Sequence, residues 1–81
     1  MKLEVALFAG LTCNNPELPC FGERKFFLEV PAGTTIRELR ALLAIDPAIP
    51  LLSMVNNHHE QEEWVLKEND RVGMFPPIGG G

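Results

Sequence analysis

The chain has 81 residues, 46% of them hydrophobic and 22% charged, the composition of one small globular domain and too little length for a large enzyme. Its 7 Lys and Arg stand against 11 Asp and Glu, a formal net charge of -4, so phosphate backbones and anionic lipid surfaces exert no general attraction and neither nucleic acid nor membrane is an expected partner. Arg37, Glu38, Arg40, Asp46, Pro47 and Pro50 interrupt the longest apolar region well short of the ~20 residues that cross a bilayer, and Glu4 falls where a signal peptide needs an apolar core; a cytoplasmic protein is expected.

From Lys2 to Ala9, Leu3, Val5 and Leu7 alternate with Lys2, Glu4 and Ala6, a period of two that predicts a strand with one buried face. Gly10 to Glu23 contains Asn14-Asn15-Pro16, Pro19 and Gly22, residues that punctuate a backbone, and is expected to be a connecting loop. Its cysteines, Cys13 and Cys20, are too few for a disulfide framework and are expected as free, reduced thiols. A Cys-x6-Cys pair supplies only half of a four-ligand site, and His58 and His59 lie far along the chain, so no metal site is expected. Phe26, Phe27, Leu28 and Val30, ended by Pro31, predict a second strand antiparallel to the first.

Thr35-Ile36-Arg37-Glu38 is a capping-box pattern that starts a helix. Ile36, Leu39 and Leu43, with Leu42 alongside, form a stripe to face a sheet, while Arg37 and Arg40 are expected in water; Asp46-Pro47 is expected to stop the helix. Leu51, Leu52, Met54 and Val55 predict a third strand ending at the turn-prone Asn56-Asn57. The following His58-His59-Glu60-Gln61-Glu62-Glu63 reads as a solvated turn: adjacent histidines on extended backbone point to opposite faces and chelate poorly, and the acids form an edge suited to basic residues of a partner. Trp64-Val65-Leu66 and Val72-Gly73-Met74-Phe75 predict two short strands. Between them Asn69 sits where a tight turn needs positive φ. The order gives an α+β domain, a sheet with one helix packed on a face.

Three segments now carry a resemblance: Val5-Ala6-Leu7-Phe8-Ala9, Val30-Pro31-Ala32-Gly33-Thr34-Thr35-Ile36, and Leu66 to Gly81 with its Asp70-x-Val72-x-x-Phe75-Pro76-Pro77-Ile78 followed by glycines. In these the chain resembles the ubiquitin-like sulfur carriers of the MoaD/ThiS family, more closely the molybdopterin synthase small subunits than the thiamine-pathway carriers. The resemblance implies a β-grasp fold, a mixed sheet of four to five strands with one main helix across it. The domain then occupies residues 1–75, and residues 76–81 are a flexible tail. Two departures stand out: Thr12 lies roughly where molybdopterin-type members commonly carry an arginine, and the turn after Asn56 is longer than usual.

Glycines without side chains suit a narrow cleft, and Pro76-Pro77 aims the tail away from the domain. The six residues from Pro76 to Gly81 reach on the order of 20 Å at ~3.3 Å per residue. The resemblance implies that an ATP-using partner adenylates Gly81 and that a persulfide then turns it into a thiocarboxylate, with Gly79 and Gly80 threading the partner's site. The thiocarboxylate would deliver sulfur within the large subunit of molybdopterin synthase. The carrier would be a monomer when free, with no catalytic residue and no bound cofactor of its own, ATP belonging to the activating enzyme. No G-x-G-x-x-G or G-x-x-x-x-G-K-[ST] nucleotide loop occurs in the sequence.

Partner contacts are expected at Phe8, Phe75, Pro76, Pro77 and Ile78, with Leu11 and Met74 as candidates to complete the patch and core packing as the competing role for the two phenylalanines. The same chemistry also serves thiamine synthesis, transfer-RNA thiolation or a tungsten cofactor. A ubiquitin-like modifier joined to lysines, or a plain interaction module, are the readings from other classes.

Overall fold

A computed structural model of the chain describes residues 1–77. Its elements are β1 (Lys2–Leu7), β2 (Lys25–Glu29), α1 (Ile36–Leu42), β3 (Leu52–Val55), β4 (His58–Glu60) and β5 (Arg71–Phe75). They build one five-stranded sheet in the order β2-β1-β5-β3-β4. β1 pairs antiparallel with β2, Leu3 opposite Leu28, and parallel with β5, Val5 opposite Val72. β5 pairs antiparallel with β3, and β3 with β4. The last strand therefore lies in the middle of the sheet and runs out beside the end of the first, where the Phe8 amide donates to the Met74 carbonyl at 3.1 Å.

The alternation in β1 buries Leu3, Val5 and Leu7, and these meet Leu28, Val72, Met74 and the helix residues Ile36 and Leu39 in a single core. β1 stops at Leu7 rather than Ala9, because Ala9 (φ 59°) and Gly10 (φ 82°) turn the chain through the left-handed region. The capping box is present: the Glu38 amide donates to Thr35 Oγ1 at 3.2 Å, and Glu38 Oε1 accepts from the Thr35 amide at 2.9 Å. Asn69 has φ 67°, as its place in the sequence predicts, and sets up the turn into β5.

Three further parts of the chain depart from expectation. The helix ends at Leu42, upstream of Asp46-Pro47: Ala44 takes φ 57°, and the terminal carbonyls of Leu42 and Leu43 accept from Asn15 Nδ2 (2.8 Å) and the Asn14 amide (2.9 Å) of the β1–β2 loop. Arg40 is not in water. Its side chain is 11% exposed and its guanidinium donates to Glu62, to the Asp46 carbonyl at 2.9 Å and to the Ile49 carbonyl, so it clamps the loop after the helix.

The third concerns residues 58–66. Asn56 and Asn57, with φ 50° and 71°, form the two-residue turn that suits an antiparallel hairpin, and His58–Glu60 folds back on β3 as an edge strand instead of a turn. Trp64-Val65-Leu66 is not a strand; a single bridge joins Val65 to Thr35. The carbonyls of Trp64 and Glu62 accept from the Ile36 and Arg37 amides at 3.1 and 2.9 Å, satisfying donors that the first turn of a helix leaves free. Glu62 and Glu63 are held by Arg37 and Arg40 of the same chain, so these two acids do not form the unpaired edge expected for a partner.

Candidate docking face beside the C-terminal strand

Residues that alternate with the core side chains lie on the sheet face away from the helix. The registers align Ala6 with Gly73, Gly73 with Met54, and Leu52 with Phe75 on that face. Phe8, just past the end of β1, is 47% exposed. Its ring meets that of Phe75 edge to face, with centroids 6.3 Å apart and planes at 78°.

The Phe8 ring lies over Gly73, where a Cβ would stand 3.4 Å from Phe8 Cε2, in ordinary contact. Together Ala6, Phe8, Met54, Gly73 and Phe75, with Arg71 at the margin, line a shallow concavity of about 210 Å³. Arg71 Nε lies 3.5 Å from Glu4 Oε1, so a charged side chain and Asn57 border an apolar floor. Such a surface has the anatomy of a protein contact. It presents no nucleophile paired with a base, and among the described residues no cluster of three or more His, Cys, Asp or Glu could hold a metal.

The strand that leads to the tail is firmly anchored. The buried Asp70 carboxylate accepts from the Lys67 amide and from Asn56 Nδ2, each at 2.8 Å, and the Arg71 amide donates to Asn56 Oδ1 at 3.0 Å. β5 then ends at Phe75, followed by a half-buried Pro76 and an exposed Pro77. Ile78, Gly79, Gly80 and Gly81 lie outside the described residues.

The structure thus brings Phe8 and Phe75 together next to Pro76 and Pro77. It removes Met74 from the candidate patch, because alternation in β5 turns that side chain fully into the core. Leu11 packs against the core rather than extending the Phe8–Phe75 pair. Thr12 Oγ1 donates to Asn14 Oδ1 at 3.3 Å within its own loop. Ala6, Gly73, Met54 and Arg71 were not predicted as part of the face. The period of two that predicts Leu3, Val5 and Leu7 as the buried face carries the signal for Ala6, and the same alternation in β3 and β5 carries it for the others once the strands are placed side by side.

A family model described as the ThiS family matches residues 14–81. No curated protein matches the chain at a significant level. Two structures from Haloferax volcanii, of SAMP1 and of small archaeal modifier protein 1, each superpose with a TM-score of 0.70; identities are 18% and 16%, covering 100% of both chains in the first case and 95% and 98% in the second. The complex of subunits 1 and 2 of the molybdopterin-converting factor from Helicobacter pylori contains a chain with a TM-score of 0.61 and 24% identity over 100% of both chains. At these identities the structural likeness establishes the ubiquitin-like β-grasp fold.

Proposed function

This chain belongs to the ThiS family, among the ubiquitin-like sulfur carriers and modifiers, and from that premise we propose that Gly81 is charged with sulfur by partner enzymes for delivery to a pterin precursor in molybdopterin biosynthesis. The observation that carries the proposal is the Phe8–Phe75 pair on the open sheet face, immediately before Pro76-Pro77 and the glycines. A partner that seats on this face receives the end of the chain in its own active site.

The chemistry follows from the poor electrophilicity of a carboxylate. An activating enzyme joins the Gly81 carboxylate to AMP, releasing pyrophosphate from ATP. The terminal sulfur of a persulfide then displaces AMP and forms an acyl disulfide. A thiol cleaves that disulfide, keeps the outer sulfur and leaves the thiocarboxylate. Phosphate binding, metal and base are supplied by the enzyme; the open face supplies orientation, and Gly79 and Gly80 supply a backbone slim enough for the cleft. A large synthase subunit is the receiving partner in this reading, in keeping with the two-subunit complex known for the Helicobacter pylori relative.

Intact-mass spectrometry of the protein from its native host tests the proposal. A gain of about 16 Da that maps to the last peptide, and not to Met or Cys as oxidation would, is expected. Deleting Gly81 should abolish adenylation while leaving the unfolding midpoint unchanged, because a terminal residue adds little to a fold. A Gly81-deleted protein that still transfers sulfur would overturn the reading. Gly81 found in isopeptide linkage to lysines would assign the chain to protein modification instead.

A further inference from the structure

The β1–β2 loop holds both cysteines of the chain, and neither touches the docking face. Cys13 is fully buried, Cys20 is 4% exposed, and both are free thiols. The Cys20 thiol donates to Cys13 Sγ across 2.9 Å. Main-chain bonds hold the pair in place: the Cys13 amide donates to the Glu23 carbonyl at 3.0 Å, the Gly22 amide to the Cys13 carbonyl at 2.8 Å, and the Glu23 amide to the Cys20 carbonyl at 2.8 Å. Burial, reinforced by the neighbouring Cys13, pushes the Cys20 thiol up to about 12.

We propose that Cys13 and Cys20 are a reversible disulfide site, a built-in staple for the loop that caps the end of α1. The sulfur atoms stand 2.9 Å apart and need close by less than about 1 Å to reach bonding distance near 2.05 Å. Asn14 and Asn15, which hold the Leu42 and Leu43 carbonyls, lie inside the ring that the bond would close, so oxidation fastens the helix end to the loop.

The oxidant is a small-molecule disulfide, R–S–S–R. One cysteine sulfur attacks it, forms a mixed disulfide and releases one R–SH; the second cysteine sulfur displaces the other R–SH and closes the Cys13–Cys20 bond. Two S–H bonds of the chain and one S–S bond of the oxidant are replaced by one S–S bond in the chain and two S–H bonds on the released thiols, and the two electrons pass to the oxidant. Attack requires a thiolate. Because both thiols are buried and Cys20 keeps its proton at neutral pH, exchange proceeds through opening of the loop and is slow, while the equilibrium favours the bond.

The test equilibrates the full chain with oxidised and reduced glutathione, once in native buffer and once unfolded in urea, followed by acid quench and intact-mass analysis. The native chain is expected to lose about 2 Da, with no glutathione attached, at an effective thiol concentration at least about tenfold above that of the unfolded chain. Thermodynamic linkage then requires the oxidised protein to unfold at a higher urea concentration than the reduced one. Cys13→Ser and Cys20→Ser should each show neither the mass loss nor the shift. A ratio below tenfold, a native chain carrying only mixed glutathione disulfides, or an oxidised protein less stable than the reduced one would overturn the proposal. None of these readouts depends on Gly81.

Discussion

The two faces of this sheet are built by alternate residues of the same strands, and only one of them is covered by the helix. In β5, Val72 and Met74 are fully buried against the helix, whereas Gly73 and Phe75 between them face outward. The helix side is closed by large aliphatic side chains. The open side has Ala6 and Gly73 at its centre and two aromatic rings at its edge. The contrast teaches that one residue of register separates a core position from an open-face position along the strand, so neighbouring substitutions should have sharply different consequences.

The largest expected effect lies on the covered face. Met74→Ala empties a fully buried site and should cost about 2–5 kcal/mol in urea unfolding, from lost transfer energy and the cavity left behind. Phe75→Ala, one residue along, should cost much less and weaken binding to the activating enzyme instead. Equal losses of stability from both would dissolve the distinction.

The covered side should also register alkaline pH. Cys20 in the folded chain holds its proton up to about 12, against an ordinary value of 9.0, because burial disfavours the thiolate. Between those values the unfolded chain gives up a proton that the native chain keeps. Stability is therefore full below pH 9 and falls as pH rises toward 12, at a slope approaching about 1.4 kcal/mol per pH unit. Urea unfolding under reducing conditions at pH 8 and pH 10 should show the drop, and Cys20→Ala should remove this contribution to it.

Much of this division was legible in the sequence because it follows from local rules. Leu3-x-Val5-x-Leu7 names its buried face, and Thr35 with Glu38 names the start of the helix. Other features depend on what lies across the fold. His58-His59-Glu60 has no apolar alternation; it becomes a strand because the Asn56-Asn57 turn lays it against β3. Trp64-Val65-Leu66 has strand-like residues, yet the adjoining carbonyls are claimed by the first turn of α1. Arg40 looks solvent-facing on a helical wheel, and it is covered by the return of the chain at Asp46 and Ile49 and by Glu62 from farther along. In the candidate site, Phe8 and Phe75 were accessible to motif reasoning. The floor between them was not, because Ala6, Gly73 and Met54 come together only through the parallel pairing of β1 with β5 and the antiparallel pairing of β5 with β3.

On the open face, the two rings offer a smaller and more specific test. Phe8→Ala and Phe75→Ala each remove one half of an edge-to-face pair, an arrangement worth about 0.5–1.5 kcal/mol beyond simple burial. A double-mutant cycle on unfolding free energy should return a coupling in that range. The same cycle measured on affinity for the activating enzyme should show losses larger than the losses in stability. A coupling near zero would mean that the rings sit side by side without supporting one another.

Gly73→Val is expected to have the smallest effect on stability and separates the faces most cleanly. Valine suits a strand better than glycine does, and its Cβ enters open-face space 3.4 Å from Phe8 Cε2, at the edge of ordinary contact. Its two methyl groups must then displace the Phe8 ring, which is free to move because nearly half of it is exposed, at 47%. The gain in strand preference and the loss of ring contact oppose each other, and unfolding free energy should stay within about 1 kcal/mol of the parent. The Phe8 ring resonances should shift and partner affinity should fall, since the valine raises the floor on which the partner rests. A destabilisation as large as that of Met74→Ala would show instead that Phe8 is a fixed part of the core, and the open face would lose its claim to be a surface kept for another protein.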